Sequence, residues 1–392
     1  MILARAAWLL LVIFVFTIPW EKSVWVPFVG SVAHLAGLAA FAAGVLAAIQ
    51  RRELRRPNAA LLLAAAFVLW SALTWFWSLD RAATGGRALT FAELLAMLWL
   101  IWDLCRGPAR QLQLISAYVC GSVAASSIAF WRYFHHHQTY YLRYAAAGFD
   151  PNDFGLVLAI AVPLALYLAL RDRAWTRWCW LASIPVVIAA VVLTASRTAT
   201  IATCAALLFA LWTWPRADWV YRISTAIFAA ALALSLVRFA PAPQRQRLAT
   251  IGNEISTGTL HDRTRIWKAG LRVFRHYPIR GVGSGAYPKA VEPWLGKPTV
   301  KGFQYVAHNT FLSVLVETGI IGFAMCGLLF ATLAFFVWSM PPPQRALWTV
   351  VAAVWAVGVF TLTWEHYKPT WLIMALISTD WARSAWPLRK AA

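Results

Sequence analysis

Charge is scarce in this sequence. Only 15 of its 392 residues are Asp or Glu, and charged residues of both signs make up 13%, where a soluble domain carries roughly a quarter. That deficit excludes an ordinary soluble fold. Cysteine is sparse as well: Cys105, Cys120, Cys179, Cys204 and Cys326 all fall in or beside apolar blocks, so neither a disulfide framework nor a cysteine metal site is expected. Low-complexity linkers and internal repeats are lacking. No basic soluble face carries a reading motif, so the net charge of +20 does not point to nucleic acid.

Apolar residues fill the space that charge leaves. They make up 61% of the chain, give a mean hydropathy of +0.63, and come in blocks of about 16 to 24 residues, long enough to cross a bilayer as helix. Many of the 24 Trp stand at block ends, including Trp20, Trp25, Trp75, Trp77, Trp131 and Trp364, where amphipathic rings settle at headgroup level. The expected class is all-α, a polytopic membrane protein with about 12 transmembrane helices. The expected spans are 6–19, 28–49, 59–77, 87–103, 112–131, 154–170, 176–194, 198–214, 221–238, 308–337, 345–364 and 370–386. Met1 to Trp20 reads as a retained first span, because another apolar block runs through the weak small-x-small pattern at Ser31-Val32-Ala33.

Orientation follows from Lys and Arg in the short loops. One side holds 16 of them and the other 7, so the first side, with both termini, is expected to be cytoplasmic. Residues 238–301 run against the trend with twelve Lys or Arg on the outer side; long loops translocate largely regardless of charge. The chain thus divides into transmembrane helices 1–9 (residues 1–238), a large basic outer loop (239–307) and helices 10–12 (308–392). Such a loop calls for an anionic partner.

Four outer segments hold residues suited to chemistry. In Thr194-Ala195-Ser196-Arg197-Thr198, a tight hairpin presents one guanidinium where two helices meet; Arg197 either snorkels to lipid phosphates or clamps a phosphate bidentately. In His261-Asp262-Arg263-Thr264-Arg265-Ile266-Trp267, helical spacing puts Arg263 and Trp267 on one face and Arg265 elsewhere, with Asp262 as a candidate cap. This stretch reads as an amphipathic helix on anionic headgroups, or as arginines facing a pyrophosphate. The following Pro278-Ile279-Arg280-Gly281-Val282-Gly283-Ser284-Gly285 lacks the βαβ context of a nucleotide loop and reads as a turn against the membrane.

His308-Asn309 opens an apolar block that continues through Glu317. A His at a helix N-terminus is biased towards neutral imidazole, the form a general base needs, although an interfacial hydrogen-bonding role is the plainer reading. On a regular helix Glu317 lies about 13 Å along the axis from His308 and out of phase with it. In Asp150-Pro151-Asn152-Asp153-Phe154-Gly155, Asn152 or Asp153 is expected to cap the next span. Two further features carry less: adjacent imidazoles in His135-His136-His137 splay apart, which disfavours a metal cluster, and Glu93 is an isolated intramembrane acid.

The order of these segments resembles the O-antigen ligase and polymerase superfamily. Its signals are Asp-Pro-Asn-Asp-Phe-Gly before one span, Ser-Arg-Thr between two spans, then Arg263-x-x-x-Trp267, His276-x-Pro278-Ile279-x-Gly281-Val282-Gly283, His308-Asn309 and Glu317-x-Gly319. The resemblance implies a GT-C-type glycosyltransferase of a bacterial inner membrane, without metal or other cofactor. Its donor would be a glycan on undecaprenyl pyrophosphate and, in the ligase branch, its acceptor a hydroxyl of the lipid A–core oligosaccharide. Arg197 and Arg263 would hold the pyrophosphate, helped by Arg265, and His308 would abstract or orient the acceptor proton. Trp267, Asn152, Asn309 and Glu317 would support substrate binding. The polymerase is the near alternative. A lipid or polysaccharide transporter is the alternative from another class, and it would want paired ionisable residues near mid-membrane or detectable repeats.

Overall fold

A chain that must satisfy its backbone inside lipid has helix as its simplest solution, and helix is what these apolar blocks form. The computed structural model describes residues 2–27, 30–139, 143–172, 175–213, 218–234, 263–295 and 305–384. The helices within them are α1 (Ile2–Thr17), α2 (Val32–Arg51), α3 (Ala59–Leu73), α4 (Arg81–Leu104), α5 (Pro108–Phe134), α6 (Pro151–Arg171), α7 (Thr176–Leu193), α8 (Arg197–Thr213), α9 (Trp219–Leu234), α10 (Arg263–His276), α11 (Tyr287–Leu295), α12 (Thr310–Trp338), α13 (Pro342–Val359) and α14 (Lys368–Ser384). A two-stranded antiparallel hairpin, Trp25–Val26 with Gly30–Ser31, is the departure from all-α.

Each expected apolar segment carries a helix. Seven helices of the described residues are long and apolar enough to cross a membrane: Ile2–Trp20, Val32–Arg51, Ala59–Trp77, Pro108–Phe134, Pro151–Arg171, Thr176–Leu193 and Thr310–Trp338. The protein is a polytopic helical membrane protein. Boundaries shift where polar side chains act locally. Asp80 accepts from the Ala83 amide at 3.0 Å and so starts α4 at Arg81 rather than near 87. Asp150, not Asn152 or Asp153, caps α6 by accepting from the Asn152 amide at 2.7 Å. Asp262, the expected cap of α10, lies outside the described residues.

Helix α6 is the axis of the bundle. Its buried residues run continuously from Phe154 to Ala169, and it packs against α5, α7, α8 and α13. On the cytoplasmic side of the proposed topology, buried Asp103 accepts from Arg51 and, at 3.1 Å, from Arg106; such a charge persists out of water only when paired. A second, smaller core joins three elements: Ile266, Ala269 and Val273 of α10 pack with Tyr287 and Val291 of α11, and with Val316 of α12. The apolar face of α10 therefore meets protein.

The long helix α12 is broken. Gly319 adopts φ 67° and ψ −172° inside it, and the freed backbone groups find partners in the glycine-containing segment that precedes α11. The amides of Val282 and Gly283 donate to the carbonyls of Val316 and Glu317 at 3.1 and 2.9 Å, while the Ile320 amide donates to the Pro278 carbonyl at 2.9 Å. Backbones approach so closely that a Cβ on Gly319 would lie 2.2 Å from the Ile279 oxygen. The glycines serve this splice between loop and helix, in keeping with a turn rather than a nucleotide site.

Candidate active site

The splice turns the first two turns of α12 towards a cavity of about 360 Å³. Asn152 and Asp153 of α6, Arg87 of α4, His308 and Glu317 at the start of α12, and His366 and Tyr367 of the α13–α14 turn line it. Four segments far apart in the chain thus converge, and three residues expected from the sequence are among them: Asn152, His308 and Glu317.

Asn152 is held in a defined orientation. Its Oδ1 accepts from Arg143 Nη2 at 2.8 Å and from Ser196 Oγ at 2.9 Å. Two donors on that atom identify it as the oxygen and leave the Nδ2 amide as a donor for the cavity. Arg143, buried, also donates to the Thr194 carbonyl at 2.7 Å, and so is tied to the hairpin that carries Arg197. That hairpin turns sharply at Ala195, with φ 49°. Arg197 opens α8 between Ser196, which bonds Asn152, and Thr198, which lies 2.9 Å from Thr361 Oγ1. These neighbours place Arg197 beside the cavity, outside its lining.

His308 sits just ahead of α12 in a left-handed conformation, φ 47°. Asn309 caps the helix: its Oδ1 accepts from the Leu312 amide at 2.9 Å and its Nδ2 donates to the Phe360 carbonyl at 3.3 Å. Burial pushes the His308 imidazole down to about 4, the Arg263 charge adds to this, and Asp150 opposes it. The ring is therefore neutral at physiological pH. Burial, more than the helix dipole, is the cause.

Arg263 reaches His308 through its charge, whereas its neighbours on α10 act as struts. Trp267 Nε1 donates to the Ala307 carbonyl at 2.8 Å, pinning the residue before His308. The Arg265 guanidinium donates to the Leu295 carbonyl at the end of α11. Glu317, nine residues after His308, faces the same cavity because His308 precedes the helix instead of lying on it. Its Oε2 accepts from the Gly285 amide at 2.7 Å and its Oε1 from Ser313 Oγ at 3.3 Å.

Several lining residues escaped sequence reasoning. Arg87 Nη1 donates to Glu365 Oε1 at 2.8 Å and meets His366 Nδ1 at 2.6 Å. Asp153 accepts from Trp364 Nε1 at 2.9 Å and from Tyr367 OH at 2.8 Å. Arg87 and Arg143 count in the sequence as cations of membrane flanks, and nothing local marks them. The one available signal was Glu365-His366, an adjacent ionisable pair at the outer end of an apolar block. Of the two lesser features, Glu93 lies 3.7 Å from His34 in a half-exposed pair, and His135 and His137 stack on Trp131 at 4.5 and 5.4 Å.

The cavity offers a neutral imidazole, an amide donor and carboxylates, with two arginines close by. Such a set can accept a proton from a hydroxyl and stabilise an anion. A search of curated proteins finds no match. Residues 182–327 match the family model described as O-Antigen ligase, a stretch that contains Arg197, Arg263, Arg265, Trp267, His308, Asn309 and Glu317 while Asn152 precedes it. The match supports the O-antigen ligase and polymerase superfamily, the family that the order of the motifs resembles.

Proposed function

We propose that the protein is an O-antigen ligase, transferring a polysaccharide from undecaprenyl pyrophosphate to a hydroxyl of the lipid A–core oligosaccharide on the periplasmic side of the inner membrane. The observation that carries the reading is the convergence of Asn152, His308 and Glu317 on one cavity, with Arg197 beside Asn152 and the Arg263 charge beside His308. Its architecture is a GT-C-type arrangement of about twelve spans, with residues 239–307 as an outer loop and both termini cytoplasmic.

In this mechanism the acceptor oxygen attacks the anomeric carbon of the first donor sugar. The carbon–oxygen bond to the pyrophosphate breaks, and undecaprenyl pyrophosphate leaves. Arg197 and Arg263 bind its phosphates, and the Asn152 amide adds a neutral donor, so charge that develops on the leaving group meets fixed donors. His308 accepts the hydroxyl proton. A base with a pKa near 4 takes up a proton only once the acceptor oxygen has lost its basicity to the new bond, so orienting the hydroxyl is the larger part of its role. The left-handed backbone at His308, held by the Asn309 cap and the Trp267 strut, fixes that orientation.

Deleting the gene in its host and resolving the lipopolysaccharide tests the proposal. Loss of all core-attached O-antigen, with long chains kept on the lipid carrier, is the expected outcome. A core bearing one repeat unit identifies a polymerase acting on the same donor. Transfer by purified protein in detergent, with no membrane gradient, excludes a pure transporter.

A further inference from the structure

The cavity carries a second constellation that the transfer step does not use. Arg87, Glu365 and His366 meet at its wall. Arg87 Nη1 lies 2.8 Å from Glu365 Oε1 and 2.6 Å from His366 Nδ1. A guanidinium nitrogen only donates, so the closer contact, 2.6 Å to Arg87 against 3.3 Å to Glu365 Oε1, assigns His366 Nδ1 as the acceptor and leaves the ring's single proton on Nε2. Burial, with the Arg87 charge added and Glu365 and Asp153 opposing, holds the His366 pKa below its usual value and keeps the ring neutral. Nδ1 faces Arg87 and Glu365, so Nε2–H is turned away from that pair, and His366 lines the cavity. No described residue accepts from it.

The walls around that donor suit hydroxyl groups better than phosphate. Asp150, Asp153 and Glu317 all line the cavity, against Arg87, whose charge already faces Glu365. Each carboxylate has about four lone-pair positions, and the hydrogen bonds of Asp153 to Trp364 and Tyr367 hold it in place with capacity left. The volume of about 360 Å³ is near the lower end of small-molecule pockets, roughly 300 to 1,000 Å³. That is room for a sugar ring and its immediate neighbour. Neither Arg197 nor Arg263 is among its described lining residues.

We infer that this cavity is the subsite for the acceptor, that it takes a sugar residue through unphosphorylated hydroxyl groups, and that His366, fixed as an Nε2–H donor by Arg87 and Glu365, binds one of that sugar's oxygens. The inference rests on the transferase reading above. Charge is divided between the two substrates: the arginines outside the cavity hold the pyrophosphate, with the Asn152 amide reaching it from the lining, and the carboxylates of the lining disfavour a second anion. His308 stands at the boundary, where the acceptor hydroxyl meets the anomeric carbon.

Steady-state transfer by the full-length protein in detergent tests this, with purified lipid A–core oligosaccharide as acceptor and an undecaprenyl-pyrophosphate-linked glycan as donor. His366→Ala raises KM for the acceptor by about tenfold, the size of one neutral hydrogen bond, and leaves KM for the donor unchanged. His366→Gln, which keeps a side-chain N–H, recovers most of the loss. Glu365→Gln, which loosens the pair that fixes the ring, gives a smaller rise in the same constant. A His366→Ala enzyme with wild-type KM for the acceptor, or with the rise in KM for the donor instead, overturns the subsite. If His366→Ala fails to fold, His366→Gln decides, because a donor KM that moves with the acceptor KM refutes the assignment. No product from wild-type protein defeats the transferase reading itself, an outcome distinct from every shift in KM.

Discussion

Acid should disable this enzyme late. The His308 imidazole is held down to about 4 by burial first and by the Arg263 charge second, with Asp150 opposing. If neutral His308 is the working form, kcat/KM stays flat from pH 8 to about 5 and falls only as the pH nears 4. An exposed histidine would lose activity near 6.5. Arg263→Gln removes one of the two causes, so the acid limb moves up by about one unit, while burial keeps it below 6.5. The amplitude falls too, since Arg263 binds pyrophosphate in this reading, but the position of the limb is independent of amplitude. Stability carries the same signature. The folded pKa lies below the unfolded one, so between pH 6.5 and 4 the unfolded chain binds more protons and stability declines as the pH drops through that window. The decline has an upper bound of about 3 kcal/mol, reduced by the ring's partial exposure. The assays are transfer rates and melting temperatures in detergent from pH 4 to 8, with His308→Gln as control. A wild-type limb near 6.5 refutes the account of His308. So does a limb that persists in His308→Gln, which would assign it to a carboxylate.

Two further substitutions separate positioning from chemistry. Asn152→Asp keeps the oxygen that accepts from Arg143 and Ser196 but replaces the cavity-facing amide with a carboxylate oxygen. Its melting temperature should stay close to wild type while kcat falls about a hundredfold, the usual loss when a donor to developing charge is removed; equal activity would remove Asn152 from the site. Gly319→Ala places a Cβ 2.2 Å from the Ile279 oxygen at a φ of +67°, so it should destabilise the protein by about 3 kcal/mol. Thermal melting in detergent measures this, and an unchanged melting temperature would show that the splice of loop and helix has room to give.

The sequence made the bundle legible because membrane helices report themselves in hydropathy alone. Where a helix start departs from its apolar block, a single capping carboxylate, such as Asp80, extends the helix into residues that hydropathy counts as loop. That same extension hid Arg87. Read as loop, Arg81 and Arg87 are flanking cations; read as α4, Arg87 is a full turn and a half inside a helix and faces a cavity. The residues that motif order and sidedness single out come together around one cavity: Asn152 and His308 line it, with Arg197 beside Asn152 and the Arg263 charge on His308. The link from Arg87 to Glu365 and His366 was not legible, because Arg87 is 278 residues from Glu365 and 279 from His366.

The break at Gly319 sets the direction of the first turns of α12, which carry Glu317 to the cavity. A regular α12 would carry its first nine residues about 13 Å straight on along the axis of the rest of the helix. The break lets the membrane part continue at its own angle while the outer turns lie across the cavity. Its cost is a set of carbonyls and amides freed from the helix, which another backbone satisfies. The segment 278–285 supplies them, and its last amide, on Gly285, also binds Glu317 Oε2 at 2.7 Å. One loop therefore repairs the helix and orients a cavity carboxylate, so damage at Gly319 should reach acceptor binding as well as folding. A Gly319→Ala protein that retains its fold should show a raised KM for the acceptor, and one that shows a wild-type KM would detach the break from the site.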